Sequence, residues 1–160
     1  LNFMKKIIRF SWLNALIGVA LCTTLFSFSR MTGTHSFQVY LDDKLMIDQY
    51  VNSKMIAPAV HLNPAENQNQ LIVKYNECGK TVTGRTLSIK SQEGKVLKDW
   101  HFEGESTGYE ESMVCNVKEI TALKQKESNT LKLYYSSKEF PQGQQIANLI
   151  IGSEATTALK

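Results

Sequence analysis

Gly79-Lys80-Thr81 has the residue types of a phosphate-binding loop, in which backbone amides wrap an anion and the lysine reaches it. Such a loop needs a further glycine five residues earlier, and Lys74 stands there. A helix must also follow, so that its N-terminus faces the anion. The residues that follow are Val82-Thr83-Gly84-Arg85, β-branched and broken by glycine. The stretch therefore reads as a turn between two strands.

Cys78, in the same stretch, and Cys115 are the two cysteines outside the N-terminal segment. Neither has a neighbouring base that would make it a nucleophile. In an oxidising compartment the two are candidates for a disulfide, closing a long loop. The alternative is two buried thiols acting as small apolar residues. His35, His61 and His101 stand far apart and lack the close ligand pairing common in zinc sites.

The most acidic stretch is Glu103-Gly104-Glu105-Ser106-Thr107-Gly108-Tyr109-Glu110-Glu111. Four carboxylates on a glycine-bearing loop offer hard oxygen ligands for calcium, but their spacing differs from the twelve-residue EF-hand loop. A solvated loop without cofactor is the simpler expectation. A glycosidase pair needs two carboxyl groups at a set separation across a cleft, which neighbours on one loop do not supply.

Aromatic residues are the remaining candidates, since exposed rings stack on sugars or accept a partner's side chains. Trp100 shares its strand face with Val96 and Phe102 and reads as core. Tyr134, between the core-like Leu133 and Tyr135, reads as the exposed ring, and Tyr109 lies in the acidic loop. Binding thus falls to Tyr134, Tyr109, Glu103, Glu105, Glu110 and Glu111. No catalytic constellation appears, so the chain does not read as an enzyme.

These residues must be positioned by strands. Phe37, Val39 and Leu41 alternate with polar positions, and after Asp42-Asp43 the pattern resumes with Leu45, Ile47 and Val51, which together predict a β-hairpin. Leu71, Val73 and Tyr75 repeat the period, as do Leu87 and Ile89, residues 96–102, and Leu131, Leu133 and Tyr135. Residues 146–151 are almost wholly apolar and predict a strand buried on both faces. One segment has helical spacing: Asn116 as cap, Glu119 as its partner, then Ile120 and Leu123, ending near Ser128-Asn129. Many strands with one short helix predict an all-β antiparallel β-sandwich, with a partly open β-barrel as the alternative.

The N-terminal segment sets the location. Lys5, Lys6 and Arg9 precede a run from Phe10 to Ser29 without a charged residue, and Ser27-Phe28-Ser29 is a small-x-small triplet. Basic, apolar and small-residue regions in that order predict a signal peptide over residues 1–29. An uncleaved membrane anchor and a lipoprotein modified at Cys22 are the alternatives. All three export the rest, to the periplasm, cell surface or outside, as one domain over 30–152 with a flexible tail at 153–160. The leader takes three of the 18 basic residues and none of the 15 acidic ones, so the remainder is formally neutral. A neutral domain without a basic cluster has no electrostatic footprint for nucleic acid. The expectation is a non-catalytic envelope domain that binds a protein or glycan partner. A structural or accessory protein without a ligand site is the alternative. Contact with membrane is expected only through the N-terminal segment.

Overall fold

Alternating apolar residues give each predicted strand one face to bury, and the fold stacks two such faces. The computed structural model describes residues 35–152, apart from residue 53 and residues 125–127. The leader at 1–29, including Cys22, and the tail at 153–160 lie outside the described residues. Among the described residues no helix is long and apolar enough to cross a membrane.

The strands are β1 (Ser36–Leu41), β2 (Lys44–Tyr50), β3 (Ala59–Leu62), β4 (Gln70–Asn76), β5 (Thr81–Val82) and β6 (Arg85–Lys90). They continue with β7 (Val96–Phe102), β8 (Ser106–Thr107), β9 (Met113–Asn116), β10 (Thr130–Ser136) and β11 (Gln144–Ile151). The first sheet runs β2-β1-β4-β9, the second β3-β11-β10-β6-β7, and β5 pairs with β8 in a small ribbon. Pairing is antiparallel except for β3 on β11, which is parallel. The inward side chains of both sheets form one core, with Phe37, Val73 and Met113 from the first and Leu87, Leu133 and Leu149 from the second fully buried. The molecule is a β-sandwich and not a closed barrel.

The hairpin turn is the one predicted. Leu41 pairs with Lys44 across Asp42-Asp43, with Asp42 in the left-handed region at φ 51°. Its carboxylate also accepts the backbone N–H groups of Asn69 at 3.1 Å and Gln70 at 2.9 Å, tying the turn to the start of β4.

Three one-residue bulges change which faces residues occupy. In β2, Val39 pairs with Ile47 but Tyr40 pairs with Leu45, so Met46 is extra and Leu45 faces solvent. Simple alternation had placed Leu45 beside Ile47. In β7, Ile89 pairs with Lys98 but Lys90 with Val96, so Leu97 is extra and Val96 turns outward, away from Trp100 and Phe102. In β11, Leu133 pairs with Ala147 but Tyr134 with Gln145, so Ile146 is extra. That bulge buries both Ile146 and Ala147, while Asn148 and Ile150 return to half-buried outer positions. The strand is thus buried on both faces only at the bulge.

The helix α1 spans Val117–Thr121, shorter than the spacing predicts. Asn116 caps it, its side chain accepting from Lys118 N at 2.9 Å. Glu119 does not complete a capping box. Its carboxylate accepts from Lys98 Nζ at 2.6 Å and Trp100 Nε1 at 3.3 Å, clasping the helix to the edge strand β7. An inward-pointing lysine on an edge strand also discourages that edge from pairing with another chain.

Candidate functional site

On β1, Phe37 and Val39 point into the core, so Gln38 and Tyr40 must point out. Register then decides their neighbours. Tyr40 lies between Leu45 of β2 and Ile72 of β4, and Ile72 lies beside Val114 of β9. Each strand of the first sheet thus adds one residue to a single row: Leu45, Tyr40, Ile72, Val114. At about 4.8 Å between strands the row is about 14 Å across. Leu45 is 47% and Val114 42% exposed, with Tyr40 and Ile72 half-buried between them.

The adjoining row is polar: Asp48, Gln38 and Lys74. Tyr40 Oη donates to Gln38 Oε1 at 2.9 Å, and Gln38 Nε2 donates to Asp48 Oδ2 at 2.9 Å. Lys74 Nζ lies 5.7 Å from the centre of the Tyr40 ring. Tyr40, Asp42, Asp43, Ile72, Lys74 and Ser112 line an open depression of about 270 Å³. This face supplies apolar area bordered by polar groups.

The sequence-predicted residues lie elsewhere. Tyr134 is on the outer face of the second sheet, but it is half-buried beneath Lys90, whose Nζ sits 4.0 Å from the ring centre. Its hydroxyl donates to Gln145 Oε1 at 3.4 Å. Tyr109 is pinned, donating to Ser36 Oγ at 2.7 Å. Glu103, Glu105, Glu110 and Glu111 are exposed, and the stretch is partly strand, since Ser106 pairs with Val82 in the ribbon. Besides the Tyr109–Ser36 bond, this stretch is tied to the sandwich through its backbone: Glu111 O accepts from Nη1 of the buried Arg85 at 3.0 Å. Among the described residues no three His, Cys, Asp or Glu side chains converge as metal ligands.

The Cys78–Cys115 disulfide is corrected by the structure: both thiols are free. Cys115 pairs with Leu71 at the start of β4, whereas Cys78 lies beyond its end. Leu71–Asn76 alone spans about 16 Å at roughly 3.3 Å per residue, while a bridge requires Cα atoms within about 7 Å. Burial pushes the Cys115 thiol up to about 12, with the Glu119 charge adding to it and Lys98 opposing.

Residues 77–80 form the turn between β4 and β5, with Cys78 at φ 57° and Gly79 at φ 70°. Its decisive residue is Glu77, 3% exposed. One carboxylate oxygen accepts from Tyr135 Oη at 2.9 Å and Ser137 Oγ at 2.6 Å. The Tyr135 ring stacks on Tyr75 with centres 3.8 Å apart, and His35 meets Tyr75 and Phe140 edge-on. Burial raises the phenols of Tyr75 and Tyr135 well above their ordinary value, and the Glu77 charge raises them further. Ser137 beside a carboxylate has the look of an activated nucleophile. It is buried, however, and its oxygen also accepts from Phe140 N at 2.9 Å, so the cluster is a closed structural brace. Alternation marks Tyr75 and Tyr135 as core, but nothing local marks Glu77 as buried.

No protein-family model matches the chain, and no curated protein matches it.

Proposed function

We propose that this is a non-catalytic envelope domain that holds a protein partner on the outer face of its first sheet. The observation that carries the reading is the row Leu45–Tyr40–Ile72–Val114. An antiparallel sheet with one solvated face ordinarily alternates apolar-in and polar-out. A contiguous apolar row across all four strands departs from that pattern, and a polar rim around it is the form of an interaction surface. An open row about 14 Å across favours a protein over a small ligand, and the Asp48–Gln38–Tyr40 chain and Lys74 would fix the partner's orientation.

A second reading has its own observation. The Tyr40 ring, Asp43 and Lys74 around the depression are groups that also grip a sugar ring. The test is site-specific photo-crosslinking from Val114 in cells making the full chain, with Tyr40→Ser/Ile72→Ser as the comparison. The expected result is a discrete protein adduct that disappears in the variant, while the variant's circular dichroism and melting stay near those of the parent. Glycan binding abolished by the same variant, without an adduct, would transfer the assignment to a sugar. An absence of both would leave the domain an accessory structural protein.

A further inference from the structure

We infer that the end of the sandwich where the chain enters it rests on a lipid bilayer surface, with Tyr50, Met55 and Ile56 in the interface. Ile56 at 88% and Tyr50 at 70% exposed are the most exposed large apolar residues of the described chain. They occur together. With Met55, Asp48, Gln49 and Asn52 they line one open depression of about 430 Å³ at the end of β2. This patch shares Asp48 with the polar rim of the face on the first sheet, but Tyr50, Met55 and Ile56 are not part of the row Leu45–Tyr40–Ile72–Val114, and the inference does not depend on the function proposed for that row.

The position of the patch argues for its occupant. Val51 N donates to His35 O at 2.8 Å, and Ser36 pairs with Tyr50, so the chain reaches the sandwich directly beside the patch. Only residues 30–34 separate His35 from the uncharged run Phe10–Ser29. Fully extended, five residues reach less than about 20 Å. If that run stays in the membrane, this end of the domain is tethered within that distance of the headgroups. On this inference the run is an uncleaved anchor, the alternative to a cleaved signal peptide. The chemistry also fits an interface. A tyrosine ring is apolar along its body and polar at its tip, isoleucine and methionine are apolar, and the neighbouring exposed Lys54 can lay its stem along the surface.

Charge does not drive the contact. Tyr109 bonds to Ser36, which brings the exposed Glu110 and Glu111 to the same end of the sandwich. These would repel anionic lipid, so the contact rests on apolar burial and holds on a zwitterionic bilayer at high salt.

The experiment uses the full chain in phosphatidylcholine nanodiscs, with ¹³C-methyl methionine and a headgroup nitroxide lipid. Met55 should be strongly broadened while Met113, buried in the core, is not. Tyr50→Ser/Ile56→Ser should bring Met55 down to the level of Met113 with the tether intact, and high salt should leave the parent unchanged. Equal broadening in the variant, or its loss in salt, overturns the inference. So does a chain found cut after Ser29 and released. A Met55 shift that depends on protein concentration without lipid would also overturn it, by giving the patch to a second protein surface.

Discussion

Tyr135→Phe removes one oxygen from the buried brace and leaves everything else in place. The ring is fully buried and stacked on Tyr75, so the substitution opens no cavity. It deletes the 2.9 Å hydrogen bond to Glu77 and leaves that carboxylate, 3% exposed, with Ser137 as its remaining side-chain donor. A hydrogen bond to a charged group contributes about 1.5–3 kcal/mol, so the loss should fall in that range. For a domain of this size each kcal/mol moves the melting temperature by roughly 3–5 °C, which predicts a fall of about 5–15 °C. Urea denaturation should show a lower midpoint with an unchanged slope, because the buried area is unchanged. A double-mutant cycle with Glu77→Gln should give a coupling of about 0.5–3 kcal/mol, since the two groups share one bond. A Tyr135→Phe protein within about 0.5 kcal/mol of the parent, the usual effect of an inconsequential surface change, would refute the claim that Glu77 braces this end.

The cysteines and tyrosines make two further tests. In the native protein a thiol reagent at neutral pH should modify Cys78, which is partly exposed, and spare Cys115, which is buried with its thiol pushed up to about 12. Peptide mapping without reductant should find no Cys78–Cys115 linkage, and finding one would contradict the β4–β9 register. At alkaline pH, the phenols of Tyr75 and Tyr135 stay protonated in the folded state above their ordinary value of 10.0. The unfolded chain then holds fewer protons than the folded one. Stability is therefore complete below about pH 10 and declines above it, by up to roughly 1.4 kcal/mol per pH unit for each tyrosine. Tyrosinate absorbance and circular dichroism should show Tyr75 and Tyr135 ionising only as the sheet signal collapses. Ionisation of Tyr75 and Tyr135 in a protein with native circular dichroism would overturn this.

The sequence by itself determined the strands, because side-chain alternation is local and the apolar residues at 37, 39 and 41, at 71, 73 and 75, and at 131, 133 and 135 need no partner to be recognised. It also determined the Asp42-Asp43 turn, the rejection of a phosphate loop at Gly79-Lys80-Thr81, and the Asn116 cap. The tertiary structure alone decided which strands are neighbours, and with that every property of the candidate face. A bulge inserts one residue, and in a pattern of period two a single residue reverses the face of everything beyond it. That is why Leu45 and Val96 lie outside when alternation placed them inside. Register is just as non-local. Tyr40 acquires Ile72 and Leu45 as flanking residues, and Cys115 acquires Leu71 instead of Cys78, only when β1, β2, β4 and β9 assemble. Glu77 is the sharpest case. In the chain it is a carboxylate beside a turn, and only the approach of Tyr135 and Ser137, some sixty residues away in sequence, makes it a buried acceptor.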